Sequence, residues 1–352
     1  MAAPTPLFAP ADNLLADTPT ALQLKTWLGE VLGFNRLGME VTGMLPTKRI
    51  TTGSSFQLPV AGRALKGKYH VRGEDVQVES GYLQTVPFTE KVMYIDDPFT
   101  QNAIIPDYDQ FQTHYESRSI ITRELAEALA RYSDFKAIRT IISAARADAN
   151  IPVGVGVVSG QQTFAGESWN HSTTASTVAD LKNAAMNTDG SKIVLALIAA
   201  AQVLDEKRAP AKGRVFLCRP SQKWALVNDR QLLDRNVVYR DNGDFAEGEV
   251  YKCAGITIKM VTGLADAQTA NAGLSGEAAT HVAANGSYLV GSNLSNNAGV
   301  VFCPGAAWRL VRSPLEMLVY FEKRRWADVV QMRTIDGFDR VEPSYAVELS
   351  LS

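Results

Sequence analysis

Apolar residues recur every three or four positions through residues 117–147, SRSIITRELAEALARYSDFKAIRTIISAARA, at Ile121, Leu125, Ala128, Tyr132, Phe135, Ile138, Ile142 and Ala145. That period is the signature of one continuous apolar stripe on a helix. Arg118, Arg123, Glu124, Glu127, Arg131 and Lys136 are expected on the other faces, and no Gly or Pro breaks the run. At about 1.5 Å per residue the rod would be roughly 45 Å long. A helix of that length needs other elements laid along it.

The remaining pattern supplies candidates. Residues 1–17 show no periodicity, whereas Thr18-Pro19 opens a short amphipathic helix with Leu24, Trp27, Leu28, Val31 and Leu32 on one face and Gly33 as its stop. Residues 49–60 and 83–95 alternate apolar and polar as extended strands. The stretch between them, VAGRALKGKYHVRGEDVQVESGY, is rich in Gly and in charge, so a long two-stranded excursion is expected there with almost no core of its own. Residues 96–108 form a Pro-bounded connection, and Gly, Ser and Thr-rich sequence after residue 150 marks a boundary.

Beyond it, Ser191 caps a helix that is apolar on nearly every side, SKIVLALIAAAQVLDEKR, and is therefore expected to be buried. RVFLCR (214–219) reads as a buried strand, Pro220-Ser221 opens a helix through Val227, and residues 250–261 read as one further strand. Residues 263–297, dense in Ala, Gly, Asn and Ser, are expected as a surface insertion carrying the short strand SYLVG. From Val300 the pattern is strand after strand: VVFC, AWRLVR, EMLVYFEK, ADVVQMRTI, FDRV and YAVELSL. Helices alternating with strands imply a mixed, layered α+β architecture.

Composition narrows the function classes. The 352 residues are 46% hydrophobic, enough for one large domain or two moderate ones, and the net charge of −2 argues against a general nucleic-acid binder. Cys218, Cys253 and Cys303 are scattered, as expected of buried small hydrophobes in a reduced intracellular compartment. The first residues lack a basic segment followed by an apolar core, and the longest apolar run, 193–204, is too short to span a bilayer. A soluble cytosolic product with no membrane partner is expected.

Candidate chemistry is sparse. Gly154, Gly156 and Gly160 in GVGVVSG look like a dinucleotide loop, but no second helix opens after them. No Gly-Lys-Ser/Thr phosphate loop occurs, and His70, His114, His171 and His281 stand apart from one another and from the cysteines. Asp96 and Asp97 beside Pro98 read as turn formers. No catalytic residue, cofactor or metal site is assigned. Lys66, Lys68 and Arg72 interleave with Tyr69 and His70, but Glu74, Asp75 and Glu79 cancel the charge, so the patch suits a protein surface better than phosphates. FEKRRW (321–326) is a second basic cluster, read as a strand end and turn.

The order of parts resembles the major capsid proteins of tailed bacteriophages, most closely those of the T7-like short-tailed group. Residues 56–63 (FQLPVAGR), Tyr69 and Gly73-Glu74 are similar to the extended loop of that group, and 88–92 (FTEKV) with Ile95-Asp96 to its return strand. His114-Tyr115 and Arg118-Ser119 resemble the lead-in to its spine helix; Arg214-Val215-Phe216, Pro220, Gly255-Ile256 and Val261 resemble its axial domain. The resemblance covers most of the chain from about residue 45.

It implies the fold named after phage HK97. Residues 1–45 would be an N-terminal arm and 46–98 an extended hairpin loop. Residues 99–155 and 305–352 would form a peripheral domain with spine helix 117–147, and 156–304 a mixed α/β axial domain with insertion 263–297. The implied function is self-assembly into the icosahedral phage head, as hexamers and pentamers around double-stranded DNA, with a scaffolding protein and a portal as partners. Trp27, Leu28, Arg63, Lys66, Lys68, Tyr69, Arg72, Glu74, Asp75 and Arg131 are the expected inter-subunit contacts. The alternatives are an encapsulin-like bacterial compartment shell and an enzyme with a dispersed site.

Overall fold

The structure is a computed structural model that describes residues 39–61, 69–73, 75, 88–106, 117–147, 167–170, 190–228, 252–262, 264 and 297–350. The expected terminal helix, the GVGVVSG loop, SYLVG, His114, His171 and His281 lie outside the described residues.

Among the described residues, three helices and twelve strands organise the chain. A 3-10 turn, Thr42–Met44, precedes β1 (Thr47–Arg49), β2 (Ser55–Ala61), β3 (Phe88–Tyr94) and β4 (Phe99–Pro106); the long helix is α1, Ser117–Ala145. Then come β5 (Glu167–Asn170), α2 (Gly190–Glu206), β6 (Val215–Cys218), α3 (Pro220–Val227), β7 (Lys252–Cys253), β8 (Ile256–Met260), β9 (Asn297–Phe302), β10 (Ala307–Glu322), β11 (Ala327–Arg340) and β12 (Ala346–Ser350). A four-stranded sheet has the order β1-β10-β11-β4, a six-stranded mixed sheet β5-β12-β9-β6-β8-β7, and β2 and β3 pair only with each other.

The two sheets lie in succession along α1. Ile121, Leu125, Ala126 and Leu129 in its first half pack with Ile105, Leu315, Val330 and Met332 of the four-stranded sheet. In the second half Phe135, Ile138, Ile141 and Ile142 pack with Leu217, Val300, Phe302 and Ala346 of the six-stranded sheet and with Phe338. The helix packs on the returning strands, but the single apolar stripe expected from the sequence is not kept. Every residue from 133 to 145 is buried, Lys136 and Arg139 included. A helix enclosed by two sheets and a terminal segment has no solvent face left in that half, so its charges are buried and must be paired.

The opposite face of the six-stranded sheet is covered by α2 and α3, where Ile193, Leu197 and Leu204 meet Phe216, Ile256, Val301 and Val347. Full burial of α2 was the expectation from its composition; Leu195 and Ile198 instead face outward, because α2 is an outer layer with the sheet on one side only. β12 sits in this sheet beside β5 and β9. The last strand of the span 305–352 therefore shares a sheet with strands of the span 156–304.

Four further readings are corrected. The expected connection at 96–108 contains the eight-residue strand β4 at a sheet edge; Pro106 is tolerated there because an edge strand need not donate on both sides. The single strand expected at 250–261 is a tight hairpin whose turn, Ala254-Gly255, takes positive φ at both residues (50° and 78°). The extended run 49–60 is interrupted, β1 pairing in parallel with β10 and β2 with β3. The separate strands AWRLVR and EMLVYFEK are one strand, β10, with register shifts between Val311 and Glu316 that accommodate Pro314; ADVVQMRTI and FDRV likewise merge into β11.

Cys218 and Cys303 are buried, and burial pushes the Cys218 thiol up to about 12 and raises that of Cys303. The thiolate is the reactive form. A thiol-reactive chromogen at pH 8 should therefore leave both unmodified in the native chain and label them once denaturant is added.

Candidate assembly interface

The β2–β3 hairpin is the one unit of the described chain without a third strand. Its root is tied down: Phe56, Leu58, Met93 and Ile95 pack with Ile50, Trp308, Leu310 and Val341. Lys48 also lies over the Phe56 ring, 5.7 Å from its centre. Its outward continuation includes Tyr69, 95% exposed, and the exposed His70, Val71, Arg72 and Asp75. A large aromatic that exposed contributes nothing to its own core and is a typical anchor for another surface. Of the other contacts expected from sequence, Arg63, Lys66, Lys68, Glu74, Trp27 and Leu28 lie outside the described residues.

Arg131 is on the exposed face of the first half of α1, its side chain 76% accessible. It reaches Glu127, which also accepts from Arg123, giving an i, i+4 ladder on the outer face. The Arg123 hydrogen bond is the main cause that holds the Glu127 carboxyl below its ordinary range. The ladder is solvated and contributes little to folding.

Sequence reasoning missed a cluster of charge inside the subunit. Lys136 Nζ lies 3.0 Å from Asp96 Oδ2 and 3.4 Å from Asp336 Oδ1, and Arg309 donates to Asp336 Oδ2 at 2.9 Å. Burial alone would pull the Lys136 ammonium down, but Asp336 and Asp96 outweigh it and hold it above the ordinary lysine value. Asp96 is thus an ion-pair partner rather than only a turn former. Phe99 stacks on Tyr132 beside the cluster, ring centres 3.5 Å apart, and the Tyr132 ring lies under Lys136. Local sequence carries no sign of this, since the partners are 40 and 200 positions apart.

Two further buried carboxylates hold the helix. Asp134 accepts from the backbone N–H groups of Glu40, Val41 and Thr42 and from the Thr42 hydroxyl, fixing the point from which the N-terminal segment departs. Glu348 accepts two bonds from Arg146, both at 2.6 Å, and one from Asn297. The turn 323–326 closes the β10–β11 hairpin as the basic run suggested, with Lys323, Arg324 and Arg325 exposed and Trp326 edge-on to Phe321.

Among the described residues, a packed core carries a hairpin supported only at its root, an exposed helix face and a basic hairpin tip, which are separate contact surfaces with no convergent catalytic group. The model of the Gp10A-like family, described as major capsid protein, matches residues 57–307. The chain belongs to that family. The major capsid protein of Escherichia phage T7 is 28% identical over 264 residues, 73% of this chain and 70% of that protein. The capsid structure of cyanophage P-SCSP1u superposes with a TM-score of 0.67 at 25% identity, covering 87% of this chain and 86% of that one. The mature capsid of bacteriophage PhiM1 gives 0.66 at 15% identity over 89% and 86% of the two chains, a likeness of fold alone.

This capsid protein accordingly has the HK97-type fold and is a structural subunit of the shell of a tailed phage's head, located in the virion. Its relatives are structural proteins, and the compartment-shell alternative is not favoured. Among the described residues no helix is long and apolar enough to cross a membrane.

Proposed function

We propose that the capsid protein closes its shell by laying the extended loop, 46–98, across an adjacent subunit. The observation that carries this is the β2–β3 hairpin, rooted in the core at Met93 and Ile95 but with Tyr69, Arg72 and Asp75 exposed beyond it. A two-stranded ribbon is marginal alone and gains order by docking, so completion of folding is coupled to assembly. Arg63, Lys66, Lys68 and Glu74 act in the same loop, giving a mixed-sign surface that favours one docking register over others. Trp27 and Leu28 of the arm, 1–45, supply an apolar contact to a neighbour.

In this reading residues 99–155 and 305–352 are the peripheral domain and 156–304, with insertion 263–297, the axial domain. Subunits join as hexamers and pentamers, a scaffolding protein guides growth, a portal occupies one vertex, and packaged double-stranded DNA is touched non-specifically. Repetition of modest interfaces under closed symmetry gives firm shells from weak pairwise contacts. The subunit acts by assembly.

Arg131 tests the outer helix face. Arg131→Glu should leave the melting temperature of the unassembled subunit unchanged, since the pair it removes is solvated. The yield of shells counted by electron microscopy should fall several-fold. Unchanged shell yield would remove this face from the interface.

A further inference from the structure

Four consecutive residues of β11 alternate between two partners. Asp336 and Phe338 point to α1, where Asp336 meets Lys136 and Phe338 joins the helix core. Gly337 and Asp339 point the other way, to the hairpin: Asp339 pairs with Lys91 of β3 at 3.3 Å. The strand period of two makes this alternation obligatory.

Between Tyr94 and Phe99 the chain passes from one face of β11 to the other. It crosses at Gly337, where a side chain is excluded, because a Cβ there would clash with the Tyr94 carbonyl oxygen and lie 3.1 Å from Ile95 Cα. Just past the crossing, Asp96 reaches Lys136 on the helix side. The Ile95 N–H donates to the Ser54 carbonyl at 2.9 Å, closing the root of the ribbon. The hairpin root is therefore held on both faces of one strand, by Lys91–Asp339 outside and Asp96–Lys136 inside.

We propose that segment 336–339 is a clamp that makes the root of the β2–β3 hairpin and helix α1 one rigid unit. The root is then not a hinge. Any adjustment of the extended loop between different positions in a shell takes place beyond the paired strands, while the direction in which the loop leaves the subunit is set by the helix. This deepens the proposal that the loop contacts a neighbour, since a fixed departure direction is what would aim it.

Hydrogen–deuterium exchange on the unassembled full chain tests the clamp without requiring shells. In the unaltered chain the hydrogen-bonded amides of residues 90–95 should exchange as slowly as 134–145 and far more slowly than the Ala254-Gly255 turn. Asp96→Ala should speed exchange of those amides by roughly tenfold or more while leaving 193–204 unchanged. Lys91→Ala, on the more exposed outer face, should act in the same direction and serves if the first variant does not fold. Root exchange as fast as that of the 254–255 turn in the unaltered chain, or root protection unmoved by these variants, would overturn the clamp. Absence of shells with a well-protected root would count against the loop's role in assembly and leave the clamp standing.

Discussion

Lys136→Met is expected to lower the unfolding free energy of the subunit by about 3–5 kcal/mol, the usual cost of leaving buried carboxylates without their cation. Asp96 and Asp336 would remain at less than a tenth exposure, and Arg309 can answer only Asp336. Replacing Asp96 by Leu in the same chain should recover much of the loss, because an apolar pair of similar volume avoids the desolvation cost altogether. Urea titration of both variants measures the difference. The pH dependence follows from the raised lysine value. An amine held above its unfolded value contributes stability that is complete below the unfolded value, about 10.4, and is lost as pH rises through the folded one. Lys136 should thus matter equally at neutral pH and at pH 9, and progressively less in stronger alkali. A loss under about 1 kcal/mol at neutral pH would show that the cluster is solvated and not a structural knot.

Replacing residues 62–75 by a short Gly-Ser linker is expected to abolish shells while leaving a soluble, folded subunit. The four core clusters of the described chain draw on the hairpin only through its root, at Phe56, Leu58, Met93 and Ile95, so the outer loop can be exchanged without opening a cavity. Its urea midpoint should match that of the unaltered chain, and its sedimentation should stop at the monomer. Shells of normal size from this variant would show that the loop is not an assembly element. The comparison with Lys136→Met separates the two parts of the molecule: one variant weakens the subunit, the other its association.

The long helix was legible because its apolar period persists over eight turns, and the hairpin because two alternating segments flank a stretch too polar to fold upon. What stayed hidden was set by distance along the chain. Lys136 looks like a solvent-facing residue in any local window; only the return of β11 and the passage of residues 95–98 around it bring Asp336 and Asp96 to the ammonium. β4 was obscured by weak alternation between two prolines, yet it pairs with β11 over eight residues because an edge position tolerates both. The reverse error arose in α2, where uniform apolarity suggested full burial and Leu195 and Ile198 face outward. Of the expected contacts, Tyr69, Arg72, Asp75 and Arg131 are exposed, while nothing in local sequence distinguished the buried anchors Asp134 and Glu348 from ordinary surface acids.

Electron microscopy of the full chain, produced alone and together with the proposed scaffolding partner, bears most directly on assembly through the extended loop. Closed shells of uniform size, with density for residues 62–75 of each subunit resting on its neighbour, are the expected result; monodisperse monomers under both conditions, or shells in which every loop folds back on its own subunit, would contradict it.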